Sequence, residues 1–286
     1  LLSQSYTYKH QTLEILRNIP DLTWVPAIPK NYKQYSVGQS NQVLKTKQFK
    51  PLFEQKPSDI DRANEISWDW RQIKGNCFRD KPIDQENCAA PQALSIAAQL
   101  SMTRCIRGKD QARIDYSEQY IISCDTSTKG CEGGFSMFVQ NFMRDYGTTT
   151  SQCVSYKSGK DGNKRQCPRT CDDNTPLPPL IKSKNFDNVC QDEPAMRSAV
   201  KFSPVQSAMT VYEDFFFYEK GIYSHKTGEN LGYQNVLIIG WGETNGVRFW
   251  ICQNSWGPEW GENGYFKIQR ANNECGIEKD CFLMLP

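Results

Sequence analysis

The 286-residue sequence predicts an α+β fold in two lobes of different class. Helical periodicity dominates up to Phe202, β-type runs dominate after it, and all twelve cysteines fall between Cys77 and Cys281. With 38% hydrophobic residues, the chain can bury one large core or two packed lobes.

The elements follow in order. "HQTLEILRNI" places Leu13, Ile15, Leu16 and Ile19 near helical spacing, and the three prolines of "PDLTWVPAIPKNY" then favour an extended path anchored by Trp24. Residues 37–65 are polar and read as a strap or linker. From Ile66 the chain turns globular. Ala93, Leu94, Ala97, Ala98, Leu100 and Met102 give Pro91 to about Arg107 an apolar face wide enough for a largely buried helix. Ser117 is a candidate N-cap for a short helix, "GFSMFVQNFMRDYG" is amphipathic up to Gly147, and "EPAMRSAVKF" carries Pro194 in its first turn. The stretch from Cys153 to about Leu180 reads as irregular. "PVQSAMTV", "NVLIIGW", "VRFWICQN" and "GYFKIQ" read as strands, and Asn245-Gly246 favours a hairpin between the second and third. Phe215–Phe217 read as core residues on a short helix.

Net charge is +2, so bulk electrostatics make no case for nucleic acid or an anionic membrane as partner. Residues 1–50 carry seven Lys/Arg against two Asp/Glu, which leaves the rest at −3: a basic leading segment on a mildly acidic body. No apolar run approaches the ~18–20 residues that span a bilayer. "LLSQSYTYKHQ" lacks the basic start and apolar middle of a signal peptide, and we expect one to have been removed before Leu1. Zinc is disfavoured, because the close pair Cys167 and Cys171 has no second pair at finger spacing and the chain has only two histidines, His10 and His225. Disulfides in an oxidising compartment, secreted or lumenal, fit the cysteines better. No metal and no cofactor is expected.

Several motifs carry a family resemblance. "DQENCAAPQALS" resembles the segment of papain-type cysteine proteases in which the nucleophile opens the central helix. "GCEGG" resembles that family's substrate-cleft glycine motif, "YQNVLIIGWG" its histidine strand, and "NSWGPEWGENGYFKI" its Asn-Ser-Trp region. "WDWR", "GIYSHKTGENLGYQNVLIIGWGETNG" and "NNECGIE" point to the cathepsin B branch. The resemblance covers residues 66–286 and, more weakly, 11–45, where "LTWVPAIPKNY" is similar to a cathepsin B propeptide. It implies a propeptide-like segment at 1–50, a linker at 51–65, and a peptidase-like domain at 66–286. A helical left lobe would occupy about 66–185 and a right lobe on a β-barrel about 186–286, with lobe-crossing ends.

Catalysis in the family needs a thiolate at a helix N-terminus, made by a histidine of the facing lobe. An asparagine orients the imidazole and a glutamine donates to the oxyanion. Carried over, Gln85 matches the oxyanion glutamine, Pro91 falls on the nucleophile, and Gln234 falls on the histidine. Asn254 matches the orienting asparagine and Trp256 its aromatic cover. Proline brings no nucleophile, and an amide does not exchange a proton as imidazole does. Proline does suit the first helical position, whose N–H lacks an intrahelical partner. Gly133, Gly134, Gly232 and Trp256 would line the groove. Cys88 is expected to be bridged, His225 to be a non-catalytic loop histidine, and His10 to lie in the leading segment.

The resemblance also implies the pairs Cys77–Cys105, Cys88–Cys131, Cys124–Cys167 and Cys153–Cys171. Cys252 is expected as a buried free thiol, and a Cys190–Cys281 bridge is left open. The branch's occluding loop carries paired histidines that recognise a C-terminal carboxylate. Here "CVSYKSGKDGNKRQCPRTC" is short and has none, which argues against exopeptidase recognition. The expected function is a non-catalytic scaffold or interaction protein, with residues 20–50 docked across its own cleft. The alternatives are a peptide- or inhibitor-binding module using the residual groove and, as an outsider, an active cysteine peptidase.

Overall fold

A computed structural model describes residues 10–29, 37–38, 66–190 and 192–286. The linker expected at 51–65 lies outside the described residues, as do 30–36 and 39–50 of the segment expected to dock across the cleft.

The chain enters through α1 (His10–Arg17) and β1 (Trp24–Pro26). After β2 (Trp68–Asp69) comes the single turn α2 (Trp70–Ile73), whose N-cap Asp69 accepts from Arg71 N–H. The central helix α3 (Pro91–Ile106) starts on Pro91 and is buried along almost its whole length. That is the outcome expected of a wide apolar face in which alanines let neighbours pack close. In α4 (Glu118–Cys124), Ser117 Oγ accepts from Tyr120 N–H at 2.9 Å and donates to Val154 C=O at 2.6 Å. Next, α5 (Ser136–Asp145) ends ahead of Gly147, which takes φ +87°. The stretch after Cys153 has little regular structure beyond one 3-10 turn, Ser158–Lys160.

The second half is sheet: β3 (Asn185–Asn188), β4 (Val205–Tyr212), β5 (Tyr218–Tyr223), β6 (Asn230–Thr244), β7 (Val247–Gln253), β8 (Tyr265–Gln269) and β9 (Cys281–Leu285). Between β3 and β4 lies α6 (Glu193–Phe202), capped by Asp192. The strand order is β1-β5-β8-β7-β6-β4-β9-β3, with β2 added on β6. Pairing is antiparallel except between β5 and β8. The described strands pair along this one path, in the papain-like α+β arrangement that the resemblance implied. The β6–β7 hairpin turns at Asn245-Gly246, both at positive φ.

Two apolar clusters follow the two lobes. The larger lies in the sheet and gathers Phe215, Phe217, Tyr218, Tyr223, Trp241, Trp250, Trp256, Trp260 and Phe266. The smaller joins α3, α4 and α5. Residues 215–217 sit on the 3-10 turn Glu213–Phe217 and are fully interior. Five disulfides are formed: Cys77–Cys105, Cys88–Cys131, Cys124–Cys167, Cys153–Cys171 and Cys190–Cys281. Cys252 is a buried free thiol and Cys275 a partly exposed one.

Candidate functional site

The floor of the cleft is where the head of α3 meets β6 and the segment after β7. Pro91 is the first residue of α3 and is buried. A proline there removes one of the N–H donors that a helix terminus offers an anion. Gln234 lies on β6, opposite Met209 of β4, and is 0% exposed. Its Nε2 stands 2.8 Å from Asn254 Oδ1, 2.9 Å from Ser255 Oγ and 3.1 Å from Gln85 Oε1. Ser255 N–H also donates to Asn254 Oδ1 at 2.8 Å. A backbone donor therefore fixes which end of the Asn254 amide faces inward, and the amide of Gln234 must turn its nitrogen towards it. Ser255 Oγ donates to Gln85 Oε1 at 2.6 Å, and Gln85 N–H donates to Ser255 C=O at 2.8 Å.

Gln85, Gln234 and Asn254 are thus joined with Ser255 in one hydrogen-bonded cluster, while the ring of Pro91 lies beside Gly38, which pairs with Tyr233 next to Gln234. Three amides and a hydroxyl share hydrogen bonds, and none of them titrates near neutral pH. Ser255, which the sequence reading did not single out, is a full member of the cluster. The signal was present in the quoted "NSW", where a hydroxyl follows the orienting amide.

Other groups with nucleophilic or basic chemistry lie elsewhere. Cys88 is bridged to Cys131. Cys252 is interior to the sheet, and burial pushes its thiol well up. Cys275 is pushed up too, by burial first and then by the carboxylate of Glu274. Both thiols therefore hold their protons at neutral pH. His225 Nδ1 sits 3.2 Å from both oxygens of the buried Asp214, its ring stacked on Tyr212 at 3.7 Å. His10 opens α1. Trp256 is 1% exposed and stacks on Phe216 at 5.2 Å, as part of the aromatic core. Among the described residues no group of His, Cys, Asp and Glu could hold a metal ion, and no helix is long and apolar enough to cross a membrane.

The leading segment meets this floor directly. Gly38 and Tyr233 exchange backbone hydrogen bonds, at 2.9 Å from Gly38 N–H and 3.0 Å from Tyr233 N–H. A Cβ on Gly232, which has φ +132°, would lie 2.7 Å from Gly38 C=O, and one on Gly38 would touch the Pro91 ring at 3.7 Å. Val37 is buried beside them. Further back, β1 pairs with β5, and Gly221 leaves the space that Trp24 fills. The Trp24 indole N–H donates to Ser224 C=O at 3.0 Å, and its ring packs on Tyr223 at 5.3 Å. In sequence, Val37–Gly38 was only part of a polar run.

Gly133 and Gly134 lie on the loop that follows Cys131. Cys88–Cys131 and the Ala89 N–H to Cys131 C=O bond (3.0 Å) hold that loop against the approach to α3. From the irregular 153–171 stretch, Tyr156 OH donates to Gln85 C=O at 2.8 Å, so the stapled loop also supports the floor.

Comparison with known proteins agrees with this architecture. The model of the papain family cysteine proteases matches residues 65–285. Cathepsin B-like CP3 of Giardia intestinalis is 36% identical over 286 residues, covering 98% of this chain and 95% of that protein. Cathepsin B of Dictyostelium discoideum is 28% identical, covering 92% and 88%. Among solved structures, proCathepsin B S9 from Trypanosoma congolense superposes with a TM-score of 0.88 at 26% identity, over 97% of this chain and 98% of that one. That coverage takes in the leading segment as well as the two lobes. The chain belongs to the papain family of cysteine proteases, as a cathepsin B-like protein.

Proposed function

We propose that this chain is a catalytically inactive cathepsin B-like protein, secreted or lumenal, that serves as a rigid scaffold for protein interactions and keeps its cleft covered by its own N-terminal segment. One observation supports the reading: Pro91 heads α3, and Gln234 is bonded to Gln85, Asn254 and Ser255, at the two positions onto which the sequence resemblance carries the family's thiol and base. Removing groups that act as a unit costs on the order of a million-fold in turnover, and the remaining hydrogen-bond donors recover little of it. The paired Gly38 and Tyr233 support the covered cleft, and five disulfides support an oxidising compartment.

Incubated with a mixed peptide library, the purified full-length protein is expected to release no product above buffer. Turnover abolished by thiol alkylation would overturn the proposal. A second reading, a peptide- or inhibitor-binding module, draws on the sheet bank, where Gly232 and Tyr233 already hold an extended segment. Partner capture that a peptide competes away from the cleft would favour it. Capture through an outer face, indifferent to such peptides, favours the scaffold.

A further inference from the structure

Helix α5 carries two stripes. On the inner one, Val139 and Met143 are 0% exposed and join the helical core. Ser136 Oγ accepts there from Asn235 and Gln206 of the sheet, and Gln140 donates to Gln99 of α3. The second stripe, Phe138, Asn141, Phe142 and Asp145, has the same spacing two residues on, about 200° round the helix. It therefore turns away from the sheet lobe.

This outer stripe lines a cavity of about 740 Å³, inside the ~300–1,000 Å³ range of small-molecule sites. Tyr120 of α4, Tyr146 and Leu180 complete its apolar lining. Tyr120 and Phe142 are buried, whereas Tyr146, 63% exposed, packs on Phe142 at 5.5 Å. The Cys124–Cys167 bridge also lines the cavity, so part of its shape is covalently held.

One charge in this lining is uncommitted. Asp125 is 1% exposed. Its Oδ1 accepts from Ser127 N–H at 2.8 Å and from the Ser127 hydroxyl at 2.5 Å, while its buried Oδ2 has no hydrogen-bond partner. Lys164 Nζ donates to Asp125 C=O at 2.8 Å and makes no ion pair with the carboxylate among the described residues. The other charges of the lining are engaged. The Asp145 carboxylate accepts from Arg144 at 2.8 and 3.1 Å, and Lys182 Nζ donates to Asp145 C=O at 2.5 Å. A buried carboxylate oxygen without a donor carries a desolvation cost that a cationic donor relieves. Aromatic faces in the same cavity favour a cation further.

We propose that this cavity binds a small protonated arylalkylamine, its ring among Tyr120, Phe138 and Phe142 and its ammonium on Asp125 Oδ2. A concave site with its one uncommitted charge buried suits a small molecule, which can follow the charge inward. The site goes beyond the non-catalytic reading and stands whether or not the cleft turns over peptide.

The test is fluorine NMR of para-fluorophenethylamine titrated with the full-length protein. Its controls are the neutral para-fluorophenethyl alcohol and the anionic para-fluorophenylacetate. The amine is expected to bind at least about tenfold more tightly than the alcohol, and the acetate not at all. Asp125→Asn keeps an acceptor for Ser127 and should erase that preference while leaving alcohol binding within about twofold. Phe138→Ala, on the half-buried outer stripe, should weaken amine and alcohol alike by at least about fivefold. Should Asp125→Asn fail to fold, the amine-to-alcohol ratio of the parent protein and the effect of Phe138→Ala still decide. Equal affinity for amine and alcohol, a preference that survives Asp125→Asn, or binding indifferent to Phe138→Ala would each overturn the proposal. So would an amine that does not bind at millimolar concentration. Peptide hydrolysis by the parent protein would instead overturn the non-catalytic reading and leave the amine site standing.

Discussion

The helical and sheet lobes are stabilised by different means. Four of the five disulfides fall between Cys77 and Cys171, tying short helices and a long irregular stretch to one another. The sheet lobe has one, Cys190–Cys281, and relies on interlocked rings: Phe215 contacts Tyr223, Trp256, Trp260 and Phe266 at centroid distances of 4.8–5.5 Å. The leading segment docks on the sheet lobe, with Trp24 at the edge strand and Gly38 at Tyr233. The lesson is that the leading segment is held by the apolar lobe, while the shape of the helical bank comes from covalent staples.

The largest expected effect breaks that contrast chemically. Reduction and alkylation under otherwise native conditions should strip exchange protection from 77–171 while the β6–β7–β8 ladder holds, since each bridge contributes about 2–4 kcal/mol. Simultaneous loss in both lobes would contradict the division. Next, Trp24→Ala removes a 2%-exposed anchor and should cost about 3–5 kcal/mol in docking of the leading segment, read as lost protection at 10–29 and 37–38 with the sheet unchanged. Gly232→Ala acts only at the second contact. The strained φ and the clash with Gly38 C=O should cost about 1–3 kcal/mol, with protection lost at 37–38 and kept at Trp24.

The smallest effect concerns pH. Burial raises the Asp280 carboxyl to about 6. A folded pKa above the unfolded value of ~3.9 means the native state keeps this proton longer, so the group lowers stability as pH climbs from about 4 to 6. Asp280 is partly exposed, so solvent reduces the effect. Asp280→Asn should be more stable than the parent by about 1–2 kcal/mol at pH 7 and equal to it below pH 4, measured by denaturant unfolding at both. An advantage that persists at low pH would contradict the stated cause.

Much of the frame was legible because its signals are local. Ser117 capping α4, the Asn245-Gly246 hairpin and the buried face of α3 each follow from a few consecutive residues. Strands β3 and β5 were not separable. "NFDN" is polar at three of four positions and "YEKGIY" is broken by Glu219, Lys220 and Gly221, and their strand character comes from partners far along the chain, β9 and β8. At the site, residue types were legible through the family motifs, but their bonding was not. Gln85 and Gln234 are 149 residues apart and Gln234 and Asn254 are 20 apart, and only the fold shows that they share hydrogen bonds with Ser255. The seat of Gly38 was hidden for the same reason, since a Val-Gly pair in a polar stretch looks like linker until Tyr233 is placed beside it.

The account rests on Pro91 and Gln234 occupying the two places where a thiol and an imidazole would meet, and restoring both groups tests that most directly. In a Trp24→Ala background, the thiol introduced by Pro91→Cys should be alkylated by iodoacetamide at pH 6 at least tenfold faster when Gln234→His is also present, because the imidazole then draws its proton. Equal rates with and without Gln234→His would mean that the two positions do not face each other, and the account would fail.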